Sequence, residues 1–524
     1  MTQTVENIEK YVIIYQTMIG ADGRKAMKRR VMLNEDWMHF LFITHENGRR
    51  ANRESALEYI RRYKDSNLTD FIMNVNGTVS SSASKVFETW SDKYAKVTEN
   101  GVPVNYKNTV AETHYELFET EKTDIFGLWT DELHKMGINP WLSFRMNDVH
   151  GDTEGFTSFR KAEIIEKHPE WWISRFKEDG TREYFDLALD YSVPEVRELY
   201  YSYIKEQLER YDVYGIELDF TREPYCFPIG SEVSGIPVMI GFVKSVRELA
   251  DAVGKRRNKK IFLSLLCPAD PVNAYKMGFD ISAMSKQGLV DFVAASPRWE
   301  TINNDIPVAI WKHLLTDKTK FGCVQQLLVS GYPTRGKFVA ANADMAFGQA
   351  HSFLSKGADF IYLYNYFYEC EKGITGAIHP TSFRSGKSNP LVVKNIAEPE
   401  LFDRRYPLTY DDFLPLGRTP QGQLPKTVEN NNPVRFRIPV GKESIGAEKY
   451  LIISTSSPID PKKSNVSVNG KPAEYCGDNK ADLNITPINS YTFGFVSALG
   501  EEASVRISSS EKFTVEYAEI LVKA

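Results

Sequence analysis

The 524-residue sequence has five cysteines, Cys226, Cys267, Cys323, Cys370 and Cys476, with no CxxC pair and no histidine at zinc-ligand spacing. Buried free thiols are expected, and neither a disulfide framework, a structural zinc nor clustered-cysteine radical chemistry can organise the chain. No run of 18 apolar residues exists, so no transmembrane helix is expected. No G-x-G-x-x-G stands at a strand-to-helix turn, which argues against a dinucleotide fold. The nine histidines include no His-x-His, as an amidohydrolase-type metal centre requires. No candidate strand carries a lysine at its carboxyl end for Schiff-base chemistry. A net charge of −5 is small for this length and argues against a nucleic-acid partner. The expectation is therefore no cofactor, no metal, no nucleic acid and no membrane, with oligomeric state left open. Residues 1–6 lack the basic and apolar regions of a signal peptide. Two readings follow: a cytoplasmic chain, or a periplasmic or secreted one whose leader has been removed.

What is present is an ordinary globular composition, long enough for a barrel plus one smaller domain. Aromatics are the outlier, with 27 Tyr, 30 Phe and 8 Trp. Cores absorb most such residues, and the remainder suit stacking on sugar rings. The apolar periodicity predicts helices over 52–64, 112–136, 194–211, 238–253, 273–288 and 342–356. Between them it predicts strands over 69–77, 138–148, 214–220, 260–268, 289–296, 322–330 and 359–366. Three runs compete to open the series: 11–19, 31–34 and 39–44. We favour the second, with Asn34 and Asp36 at its carboxyl end. Such alternation is the α/β signature, and seven or eight units fit a closed (β/α)8 TIM barrel better than an open sheet. The barrel is assigned to residues 1–385, with insertions at 79–111 and 149–190. Residues 386–432 read as an irregular linker, and 433–524, with short strands between turn signals, as a C-terminal β-sandwich.

Candidate chemistry gathers at the carboxyl ends of the strands, where barrels of this kind place it. In Gly215-Ile-Glu-Leu-Asp-Phe-Thr-Arg-Glu-Pro224 the apolar residues face one way, and Glu217 and Asp219 face the other. Inward carboxylates are costly unless paired or used. Hydrolysis of a glycosidic bond needs two carboxyl groups, one donating a proton and the other attacking or activating water. Asp219, at the strand end, is the leading candidate. Glu223 in the exit loop, Glu300 after the sixth strand and Glu369 after the eighth compete to be its partner. Glu217 lies one residue pair deeper and suits a supporting role, paired with Arg145. Asn74, Asn76, Arg145, Asn147 and His150 lie at neighbouring strand ends, where they suit substrate hydroxyls or, equally, structural hydrogen bonds. Trp299, Tyr364 and Tyr366 are candidate stacking platforms. Arg145, Arg222 and Arg298 together hint at an acidic glycan, uronic or sulfated.

Four stretches carry a resemblance: Val31-Met-Leu-Asn-Glu-Asp36, Phe144-Arg-Met-Asn-Asp-Val-His150, His168-Pro-Glu-Trp-Trp172 and the segment from Gly215 to Pro224. Over about residues 31–380 the chain resembles bacterial glycoside-hydrolase-like TIM-barrel proteins, often described as family-10-like, of polysaccharide-degrading bacteria. The resemblance implies glycosidase activity on an oligosaccharide or polysaccharide, an acid at the fourth strand end that maps onto Asp219, and a C-terminal β-sandwich. The sequence departs from true family-10 xylanases, which have an Asn-Glu pair at strand four and a second Glu at strand seven. Here the fourth strand has no such pair, and the seventh run ends in Ser330-Gly331. The second catalytic acid and the stereochemistry therefore stay open. A non-catalytic carbohydrate-binding protein on a degenerate barrel is the alternative.

Overall fold

The structure is a computed structural model that describes residues 29–46, 50–99, 110–149, 162–174, 184–297, 301–326, 328–329, 333, 339–365, 390–409, 423–478 and 489–524. Eight parallel strands close into a barrel. They are β1 (Arg30–Asp36), β2 (Asp70–Asn74), β3 (Asn139–Arg145), β4 (Gly215–Asp219), β5 (Phe262–Pro268), β6 (Phe292–Ser296), β7 (Lys320–Gln325) and β8 (Phe360–Tyr364). They pair in sequence order, and β8 returns to β1. Each falls on one of the predicted apolar runs, and the TIM-barrel expectation holds. Among the described residues no helix is long and apolar enough to cross a membrane.

Two predicted helices are broken where the sequence offers a new start. The stretch read as one helix over 112–136 is Val110–Tyr115, a wider turn at Glu116–Thr120, and then Ile125–Met136. Asp124 caps the last of these by accepting from the Phe126 and Gly127 N–H groups. The helix read over 273–288 is Pro271–Lys276 and Ile281–Lys286, separated by Gly278 at φ 96° and capped anew by Asp280.

Strand alternation sorts the barrel side chains into two layers. Val31, Leu33, Phe71, Met73, Ile216 and Leu218 pack outward under the helices. Met32, Ile72, Trp141, Leu266, Phe292, Val324, Phe360 and Tyr362 fill the interior. The amino-terminal floor is aromatic: Trp141, Tyr214, Phe262, Phe292 and Phe360 contact one another. Arg30 lies over this layer, 4.7 Å from the Phe292 ring, and pairs with Asp70 at 3.3 Å. Asp70 also accepts from the Trp141 indole at 2.8 Å. The side chains of this layer fill the amino-terminal end of the barrel.

The C-terminal domain is one antiparallel sheet of nine strands, curled over a single apolar core that includes Phe436, Leu451, Phe493, Val505 and Ile520. Two of its strands, Arg404–Pro407 and Lys426–Val428, come from the interval read as linker, and both pair with Phe513–Val522. The first leans on the barrel helix Ala343–Ser355. A Cβ on Gly348 would stand 2.2 Å from the Arg405 carbonyl, and the Tyr406 hydroxyl lies 2.9 Å from His351 Nδ1.

The floor depends on two glycines beside its largest rings. A Cβ on Gly215 would meet Trp141 at 2.4 Å and the Phe262 carbonyl at 2.8 Å; one on Gly322 would meet Phe360 at 2.3 Å. Overpacking of this kind costs about 1–3 kcal/mol. Gly215→Ala is expected to lower unfolding stability by about that amount in urea titration. Gly241→Ala, whose Cβ would meet nothing within 4 Å, should not lower it.

Candidate active site

β4 presents two inward carboxylates at two depths. Asp219 ends the strand, and its Oδ1 accepts from the Thr221 N–H at 2.8 Å, the Thr221 hydroxyl at 2.7 Å and the Arg222 N–H at 3.2 Å. A carboxylate that takes the N–H two residues onward forms an Asx turn, so Thr221 and Arg222 fix the oxygen without a partner from another strand. Oδ2 accepts from the Tyr364 hydroxyl at 3.3 Å. Asp219 is fully buried, and burial pushes its carboxyl pKa up, while the Thr221 bonds and the Arg145 and Arg222 guanidiniums pull it back.

Glu217 lies one pair deeper, also fully buried. Its Oε1 accepts from Tyr362 (2.7 Å), Ser143 (3.0 Å) and Asn34 (3.3 Å), and the Ser264 hydroxyl lies 3.4 Å from Oε2. Burial, reinforced by the nearby Asp219 charge, pushes its pKa up to about 8. Burial thus favours the uncharged form of Glu217.

The expected pairing of Arg145 with Glu217 does not occur. Register places Arg145 beside Asp219 and Ser143 beside Glu217, so the guanidinium stands above the deeper acid. It pairs instead with Asp36 at 2.9 Å and Asp148 at 3.5 Å. Asn76 and Asn147, read as hydroxyl-binding candidates, serve backbone groups. Asn76 donates to the Gly77 and Arg145 carbonyls and accepts from the Arg145 N–H. Asn147 donates to the Leu189 and Tyr225 carbonyls and accepts from the Leu189 N–H, which ties the segment before residue 190 to the loop after β4. Asn74 donates to Asn34 Oδ1 at 2.9 Å, and its own Oδ1 is buried with no hydrogen-bond partner among the described residues.

The structure therefore brings Asn74, Arg145, Glu217, Asp219 and Tyr364 to one end of the barrel, with Arg222 and Glu223 in the adjoining loop; both loop residues are buried. His150, Arg298, Trp299, Glu300, Tyr366 and Glu369 lie outside the described residues. Residues that sequence reasoning passed over are Thr221, Tyr362 and Asn365. Thr221 carried a signal, since a threonine two places after an aspartate favours the turn it makes; the tyrosine Tyr362 needed the barrel register to be seen. Among the described residues no group of three or more His, Cys, Asp or Glu is arranged to hold a metal ion.

No family model matches the chain, and no curated protein sequence matches it. Among solved structures it is similar to alpha-L-fucosidase isoenzyme 2 from Paenibacillus thiaminolyticus, at 12% identity over 72% of this chain and 49% of that one, with a TM-score of 0.40. It is also similar to a GH36 alpha-galactosidase from Geobacillus stearothermophilus, at 12% identity over 93% and 56%, with a TM-score of 0.37. An alpha-amylase from Lactobacillus plantarum gives 12% identity over 91% and 98%, with a TM-score of 0.37. The chain spans about half the length of the fucosidase and the galactosidase. No residue role is taken from any of them.

Two outcomes follow from the side-chain network. The fold raises the Glu217 pKa, so the folded chain holds this proton more tightly than the unfolded one. That contribution is complete below the ordinary value of 4.5 and is lost as pH rises towards about 8. Glu217→Gln keeps an uncharged acceptor in place, so its stability relative to wild type should increase between pH 5 and 8 in parallel urea titrations. Asn147→Ala leaves a buried N–H and two carbonyls without this partner and should cost about 2 kcal/mol or more. Asn74→Ala, which removes one side-chain bond, should cost less in the same assay.

Proposed function

We propose that the protein is a glycoside hydrolase of the family-10-like kind that the sequence resembles, acting on an oligosaccharide or polysaccharide through two carboxyl groups, with Asp219 as nucleophile or general base. The observation that supports this reading is the division of labour within one carboxylate. Oδ1 is immobilised by three local donors, whereas Oδ2 has only the longer Tyr364 bond among the described residues. A carboxylate fixed on one side and lightly held on the other is pre-oriented to attack or to accept a proton. Burial raises the Asp219 pKa, and the Thr221 hydrogen bonds with Arg145 and Arg222 favour its charged form against that. Glu223 or Glu300 completes the pair as proton donor. A donor of this kind needs a raised pKa, which burial or a neighbouring carboxylate supplies.

A specific observation favours the second reading, a sugar-binding barrel without turnover: Asp219 has no solvent exposure, whereas a reacting carboxylate must meet its substrate. The two readings part on activity. Wild type should release reducing ends from at least one glycan in a panel, and Asp219→Asn should lower that rate by about a thousandfold or more while keeping binding. Binding without release by wild type on every glycan would leave the second reading standing. In an active protein, the rate should fall as pH drops through the Asp219 pKa. Thr221→Val removes a hydrogen bond to the charged form and should move that acidic limb upward by about one pH unit.

A further inference from the structure

The mouth of the barrel carries more than the reacting acid: two amide oxygens and the Arg145 Nε–H are buried there without a hydrogen-bond partner among the described residues, a mixture that a hydroxyl, both donor and acceptor, can satisfy. In the strand order β8–β1–β2, the end of β1 is flanked by two asparagines, Asn365 just past β8 and Asn74 at the end of β2. Both have a side-chain oxygen that is buried and without a hydrogen-bond partner among the described residues. Asn74 is itself 2% exposed. Its amide cannot turn freely, because its N–H group is held by Asn34 Oδ1, and the Asn34 amide donates in turn to Glu217. The half left over is an acceptor. Asn365, at φ 45°, is held by its backbone N–H on the Asn34 carbonyl at 2.8 Å, which leaves its side chain as a second acceptor on the far side of β1. An unpaired buried carbonyl is costly, so two beside one strand end call for a donor from outside the chain.

Charge narrows what that donor can belong to. Arg145 looks suited to an anionic substrate, yet its guanidinium already lies between the carboxylates of Asp36 and Asp148. With Asp219 and Arg222 included, three carboxylates and two guanidiniums act on one another here among the described residues. An incoming carboxylate or sulfate would find Arg145 already paired with two carboxylates and would offer the two amide oxygens no donor, whereas sugar hydroxyls supply the missing donors.

Resting on the glycosidase reading above, we infer that Asn74 and Asn365 form a subsite accepting hydroxyl hydrogens of an uncharged sugar, and that Asp36, by neutralising Arg145, excludes acidic glycans. This reverses the hint of an acidic substrate drawn from the arginines alone. Asn74 is a specificity-determining residue here, and Asp36 a positioning residue that acts through Arg145.

The test is calorimetric binding of matched oligosaccharides to the full chain at constant pH and salt: mannohexaose against the hexamer of mannuronate, and galactohexaose against hexagalacturonate. A neutral member is expected to bind, and its uronate counterpart to bind at least tenfold more weakly. Asn74→Ala should weaken the neutral ligand about tenfold at a temperature where the variant is still fully folded. Asp36→Asn should narrow the gap by strengthening the uronate, a gain that mere loss of structure would not produce. A uronate that binds wild type as tightly as its neutral counterpart overturns the subsite while leaving the glycosidase reading intact. Binding of no member of either pair, nor of any glycan in the wider panel, overturns both.

Discussion

Two acids on one buried strand are the constraint on which the rest of the barrel depends. A carboxyl group taken from water must be given donors or a proton, and Glu217 receives both. Its donors come from β1 (Asn34), β3 (Ser143), β5 (Ser264) and β8 (Tyr362), so one side chain on β4 is tied to both neighbouring strands and to two across the barrel. A network of that kind is strong only when complete, and completing it requires that the barrel be closed. Closure and the chemistry of the site are therefore supported by the same hydrogen bonds.

Depth then separates the roles. The aromatic floor, with Arg30 and Asp70, fills the amino end. Above it sits Glu217, its uncharged form favoured by burial and held by hydroxyls and an amide. Asp219 follows at the strand end, held by its own exit loop and surrounded by the charges of Arg145, Arg222 and Asp36. Tyr362 and Tyr364, two residues apart on β8, serve the two acids in turn and keep the levels in register. Glu217 and Asp219 also act on each other through charge, so a change at one is felt at the other.

Much of this was legible in the sequence because barrel strands obey a period of two: the inward side of Glu217, Asp219, Ser143 and Arg145 followed from alternation alone. The partners of those residues did not. Pairing Arg145 with Glu217 seemed natural from charge, but partner choice depends on register between strands, and register puts Arg145 level with Asp219 instead. Asn76 and Asn147 were misleading for a related reason. Polar residues at strand ends look the same whether they meet a ligand or satisfy loop backbone, and only the fold shows the carbonyls they serve. Helix breaks at Asp124 and Asp280 were written in the chain as capping residues inside a continuous apolar pattern, and the cap prevailed over the pattern.

The measurement that bears most directly on the role of Asp219 is a crystal structure of the Asp219→Asn protein soaked with a glycan that it binds. The account predicts the sugar ring at the carboxyl end of the barrel, with an anomeric carbon about 3–3.5 Å from the side chain at position 219, or one water away from it. A glycan seated elsewhere, with that side chain still buried away from it, would contradict it.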